Sequence, residues 1–181
     1  MPIRGRSLGA VSRTFANHLN RALANTVTQA PLTLTIERNR ANIRFRGPVG
    51  LSSTPIQTKY GRMGPYVGQI CASEIDSDGE HTLRTLQYLY ALTPANHAEA
   101  QFRWECVRVP GDDAAYCRHH LQGPIPLNLS DEQNRHVTLN DLHLPTGWVP
   151  VEEVLRICIV DLGVKPLSPD WNEIFLESER Q

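Results

Sequence analysis

Between Tyr66 and Gln122 the chain runs as four short stretches rich in β-branched and aromatic residues, each closed by turn formers. Tyr66 to Glu74 ends at Asp76-Ser77-Asp78-Gly79, and Leu83 to Leu92 ends at Pro94-Ala95-Asn96-His97. Phe102 to Val109 ends at Pro110-Gly111-Asp112-Asp113, and Tyr116 to Gln122 ends at Gly123-Pro124-Ile125-Pro126. Strands at this regular spacing, with turn signals between them, argue for an antiparallel sheet. The reading is an antiparallel meander over residues 66–143.

The flanks carry a different period. Leu8, Val11, Phe15, Leu19 and Ala22 recur at three- and four-residue steps, which predicts an N-terminal helix over 7–26 with Ser7 as its cap. Pro31 marks a change of state. Leu32, Leu34 and Ile36 then alternate with polar residues, as do Ile43 and Phe45 with Arg44 and Arg46. This is a basic hairpin over 32–46, turning at Arg38 to Asn42, with Arg44 and Arg46 on the face opposite Ile43 and Phe45. Residues 47–65, dense in Gly and Pro, read as a loop-rich seam.

Near the C-terminus Val151, Val154, Leu155, Cys158, Ile159 and Leu162 form one apolar stripe. Pro150 suits the first turn and Gly163 the stop, so a closing amphipathic helix spans 150–162. A short acidic helix is expected from Asp170 to Ser178. These elements make one α+β domain over 1–181. It is mostly antiparallel sheet, with an N-terminal helix and a C-terminal amphipathic helix packed on it.

Composition sets the outer limits. At 181 residues, 40 % hydrophobic and 20 % charged, the chain suits one domain with a real core and is too apolar to be disordered. No apolar run approaches the ~18–20 residues that span a bilayer. Arg13, His18 and Arg21 interrupt any signal-peptide segment, so a cytoplasmic location is expected. Cys71, Cys106, Cys117 and Cys158 are scattered, with no C-x-x-C pair, and read as reduced thiols. The net charge of −1 hides an uneven spread: eight arginines face only Glu37 in the first 48 residues, and the chain from Glu152 onward is acidic. A basic end either meets phosphate or an acidic partner, or balances the acidic end across the fold.

Phosphate-loop, dinucleotide, serine-hydrolase and zincin motifs are all missing from the sequence. Three local features remain. In Phe102-Arg103-Trp104-Glu105, a strand puts Arg103 and Glu105 on one face, as an anion holder or as a plain charge pair. In Arg118-His119-His120, only one histidine can join the face of Arg103; a His beside a cation has a lowered pKa suited to a general base. In Asp141 to Trp148, His143 and Trp148 either frame a pocket edge or simply secure the start of the helix. Cys106, Cys117, His119 and His143 do not have zinc-site spacing, and neither a metal nor a cofactor is assigned.

The order Tyr88-Leu89-Tyr90, Phe102-Arg103-Trp104-Glu105, Arg118-His119-His120-Leu121 and then Val151-Glu152-Glu153-Val154-Leu155 resembles the TumE-like small toxin proteins of prokaryotic toxin–antitoxin pairs. The similarity covers roughly residues 83–162. It implies a growth-inhibiting protein neutralised by a cognate antitoxin, with RNA as the first substrate to consider and no need of a metal. On that resemblance His119 or His120 moves the proton, Arg103 holds the anion beside Glu105, and Tyr88 or Tyr116 supplies a positioning hydroxyl. Arg44, Arg46, Arg118, His143 and Trp148 are the binding residues. The alternative is a non-enzymatic protein-binding or regulatory module of a bacterial operon, docking through its arginine face and its acidic C-terminal segment.

Overall fold

In the computed structural model the described residues are 3–46, 54–108, 118–130, 136–142 and 144–179. The strands are β1 (Arg4–Gly5), β2 (Leu32–Glu37), β3 (Arg40–Phe45), β4 (Ile56–Thr58), β5 (Gly61–Ile75), β6 (His81–Pro94), β7 (Phe102–Val107), β8 (His119–Gln122), β9 (Pro126–Ser130), β10 (His136–Thr138) and β11 (Leu144–Pro145). The helices are α1 (Leu8–Thr26), α2 (Val151–Val160) and α3 (Trp171–Glu179). The fold is α+β, built on a large antiparallel sheet.

The main sheet runs β11-β8-β7-β6-β5-β3-β2, with β1 paired to β6 and β4 paired to β5. The basic hairpin is therefore part of the same sheet as the meander: β3 pairs directly with β5. Its turn is tighter than the five residues expected, because Glu37 pairs with Arg40. Only Arg38 and Asn39 lie between the strands, both at positive φ (46° and 62°). That is the backbone twist a two-residue hairpin needs, and Asn tolerates it.

The meander expected over 66–143 is corrected at its far end. β9 and β10 form a separate two-stranded sheet. The outer edge of β8 is taken instead by β11, with Leu144 opposite Leu121 and Pro145 opposite His120. Gly123 lets the chain leave β8 here, since a Cβ at that position would stand 2.2 Å from the Gln101 carbonyl oxygen. A second irregularity lies between Ile70 and Cys71, where the β5–β6 register shifts at Leu86. This bulge lets Thr85 and Tyr88 share a face despite their odd spacing.

One sheet face carries the core. Ile43, Phe45, Val67, Tyr88, Tyr90, Leu92, Trp104 and Cys106 are buried in one cluster with Leu19 and Leu23 of α1, Val154, Leu155 and Cys158 of α2, and Phe175 of α3. Each fully buried aliphatic of this kind stabilises by roughly 1.5–3 kcal/mol. Both helix ends follow their sequence signals. The Ser7 side chain accepts from the Ala10 N–H at 3.2 Å. Gly163 at φ 70° ends α2, and Val164 N–H bonds back to the Cys158 carbonyl at 2.9 Å.

Candidate functional site

The register sorts the chemistry-bearing residues into two rows on opposite faces. Arg44 is paired with Gly68, Gly68 with Leu89, Leu89 with Glu105, and Glu105 with His120. One residue over, Ile43, Gln69, Tyr88, Cys106 and His119 form the parallel row on the helix-covered face. A one-residue step in a strand changes the face, so the two histidines are divided by the sheet itself.

On the face away from the helices, Arg103 Nε lies 2.7 Å from Glu105 Oε1, and Arg103 Nη2 donates to Gln122 Oε1. The other Glu105 oxygen is 3.5 Å from His120 Nε2. Glu105 thus bridges a half-exposed guanidinium and an imidazole that is only 2 % exposed. Of the two readings of Arg103, the geometry matches the same-face charge pair: its charge is matched by the Glu105 carboxylate and its Nη2 is taken by the Gln122 amide. Arg44 and Arg46 are exposed on this face, but Gly68 and Leu89 separate Arg44 from Glu105 across the strands. At ~4.8 Å per strand that is roughly 14 Å.

On the helix-covered face, Tyr88 Oη accepts the Val149 N–H at 3.2 Å and lies 3.4 Å from His119 Nδ1. The Tyr88 ring stacks on Tyr90 at 4.6 Å and meets Trp148 in a T-shaped contact at 5.2 Å. His119 faces Trp148 at 5.8 Å, and its Nε2 is 3.9 Å from Cys106 Sγ. Trp148 therefore frames a pocket edge, packing on the rings of Tyr88 and His119. Burial pushes the His119 pKa down, helped by the charges of Arg118, Arg108 and His120. Burial also pushes the Cys106 thiol up, against the opposing pull of Arg108 and Arg118. Both shifts favour a neutral imidazole beside a neutral thiol, which is the reverse of an activated thiolate–imidazolium pair. Arg118 is exposed and acts on this cluster only as a nearby charge. His143, Tyr116 and Cys117 lie outside the described residues, and with them the four-residue metal grouping.

No family model, curated protein or solved structure matches this chain.

Sequence reasoning missed a third group. His18 of α1, Gln69 of β5, Glu152 of α2 and Ser178 of α3 all line one cavity between the helices and the sheet. His18 Nε2 is 2.7 Å from Ser178 Oγ, and Ser178 donates to Glu152 Oε1. The signal was present but unused. His18 sits three residues after Phe15, Glu152 three before Leu155, and Ser178 three after Phe175, so each lies on a core-facing stripe.

Proposed function

We propose that the chain is a non-enzymatic binding module that takes an acidic protein segment across the sheet face opposite the helices. The observation that carries this reading is the make-up of that face. Exposed Arg44 stands at one side of a shallow groove of about 290 Å³ whose floor includes half-buried Ile70, Leu89 and Val107, with exposed Arg46 two residues farther along the chain on the same face. Asn42 and Gln87 supply amides beside them. A cationic border over an apolar floor with amide groups is the chemistry that recognises an extended, acidic peptide.

RNA suits the same face less well. Glu105 lines both this groove and, with Glu99, the adjoining hollow of about 350 Å³; a backbone charged at every nucleotide meets these carboxylates, whereas a peptide can confine its acidic side chains to the arginine side. His119 and His120 are on different faces, so only His120 joins Arg103 and Glu105, and at 2 % exposure it is not open to a substrate. The resemblance to TumE-like toxins supports a protein partner equally: the acidic segment would belong to the cognate antitoxin.

The test is calorimetric titration of the full chain with the protein encoded beside it, using wild type and Arg44→Glu/Arg46→Glu. Loss of binding on double reversal, with the fold retained, is the expected result. Unchanged affinity overturns the reading. Growth arrest that depends on His119 alone, with Arg44 and Arg46 dispensable, would favour catalysis instead.

A further inference from the structure

Behind Trp148 lies a cavity of about 280 Å³, close to the lower end of ligand-pocket sizes. Phe15, Leu19, Leu83, Val151 and Trp148 give it apolar walls. Glu152 is 6 % exposed and accepts a hydrogen bond from Ser178. Among the described residues no arginine, lysine or histidine makes an ion pair with it. The nearest imidazole, His18, reaches only the intervening hydroxyl, at 2.7 Å. Glu179 on the same rim is different, because Arg156 Nη2 holds it at 3.1 Å.

A buried carboxylate without a counter-ion is costly. Its desolvation outweighs what the field of a helix N-terminal turn returns. Gln69 adds a second open acceptor. It is 4 % exposed, its Nε2 donates to Tyr90 Oη at 2.8 Å, and its Oε1 has no partner among the described residues. Two buried acceptors from different elements line one small apolar chamber; the carboxylate calls for a positively charged donor and the amide oxygen for a further donor.

We infer that this cavity is a binding site for a small primary amine with an apolar or aromatic body, its ammonium seated on Glu152 and its body between Phe15, Leu83 and Trp148. The site lies on the opposite side of the sheet from the proposed protein-docking face and stands or falls independently of it.

Calorimetry on the full chain with phenethylamine, 2-phenylethanol and 3-phenylpropionate tests this. Phenethylamine should bind one-to-one with Kd below about 1 mM, with the neutral alcohol at least about tenfold weaker and no saturable binding of the anion. Glu152→Gln keeps an oxygen for Ser178 but removes the charge, and should weaken the amine about tenfold while leaving the alcohol unchanged. Leu83→Trp should fill the chamber and abolish both. Absence of phenethylamine binding to the folded wild type, equal affinity for amine and alcohol, or full amine affinity in Glu152→Gln would overturn the inference. Should Glu152→Gln fail to fold, the amine-against-alcohol comparison and Leu83→Trp still decide.

Discussion

His119 and His120 are adjacent in β8 and face opposite sides of the sheet, His119 toward Tyr88 and Trp148, His120 toward Glu105. Removing the two rings should therefore have separable effects. His120→Ala opens a void at a 2 % exposed site and strips Glu105 of a partner, so a loss of about 2–4 kcal/mol is expected. His119→Ala removes a partly exposed ring and should cost about 1 kcal/mol or less. Urea unfolding of both singles and the double variant measures this, with the departure from additivity reporting the charge coupling between the two rings.

His119 should titrate below 6.5, because burial and the charges of Arg118, Arg108 and His120 all disfavour its proton. With the folded pKa depressed, the unfolded chain takes up the proton first as pH falls through 6.5. This residue's share of stability is thus complete above that pH and declines below it. Two-dimensional NMR of the ring protons should show Arg118→Ala moving the midpoint upward; a midpoint unmoved by that change would remove Arg118 as a cause.

Burial holds the thiols of Cys71 and Cys158 up to about 11 and about 12, from an ordinary 9.0. In a Cys117→Ser background, iodoacetamide at neutral pH should label the native protein at least about tenfold more slowly than the unfolded chain. Here the folded pKa is raised, so the stability contribution is full below 9.0 and is lost as pH climbs toward 11 and 12. Denaturation midpoints measured across alkaline pH should fall accordingly.

Gly123 is fixed by contact with backbone. A methyl group there would meet the Gln101 carbonyl oxygen at 2.2 Å, and a carbonyl in a strand-end loop has no rotamer to yield. Gly123→Ala should cost about 3 kcal/mol in urea unfolding. Gly68→Ala should cost less, because its obstacle at 2.9 Å is the side chain of Tyr66, which can swing.

The β2–β3 turn invites the opposite change. Arg38 and Asn39 hold φ of 46° and 62°, where Asn-Gly is the preferred pair. Replacing Arg38-Asn39 by Asn-Gly should raise stability by about 0.5–1 kcal/mol, read as a higher thermal midpoint. A lower midpoint would mean that Arg38 makes a contact outweighing its backbone strain.

Much of the architecture was legible because it depends on local period. The stripe from Val151 to Leu162 and the stop at Gly163 match α2 and its left-handed end. The alternation around Ile43 and Phe45 matches buried positions of β3, with Arg44 and Arg46 outside. The charge pair of Arg103 and Glu105 also follows from two-residue spacing within β7. What alternation cannot supply is the neighbour on the next strand. The replacement of β9 by β11 beside β8, and the register shift at Leu86, come from competition between segments far apart in sequence.

The sequence by itself determined the helices and the longer strands and which side of each faces apolar surroundings, since periods of 3.6 and 2 are properties of a single segment; the short strands β1, β4 and β11, and the start of β5 within the expected seam over 47–65, are too brief or too rich in Gly and Pro to show a period. Tertiary structure alone decided which of these surfaces meet. It put His120 rather than His119 beside Glu105, aligned Arg44 on the same row, and drew His18, Gln69, Glu152 and Ser178 from four elements around one cavity. The physical reason is that a contact between distant segments depends on strand register and helix docking, and no single stretch of chain contains either.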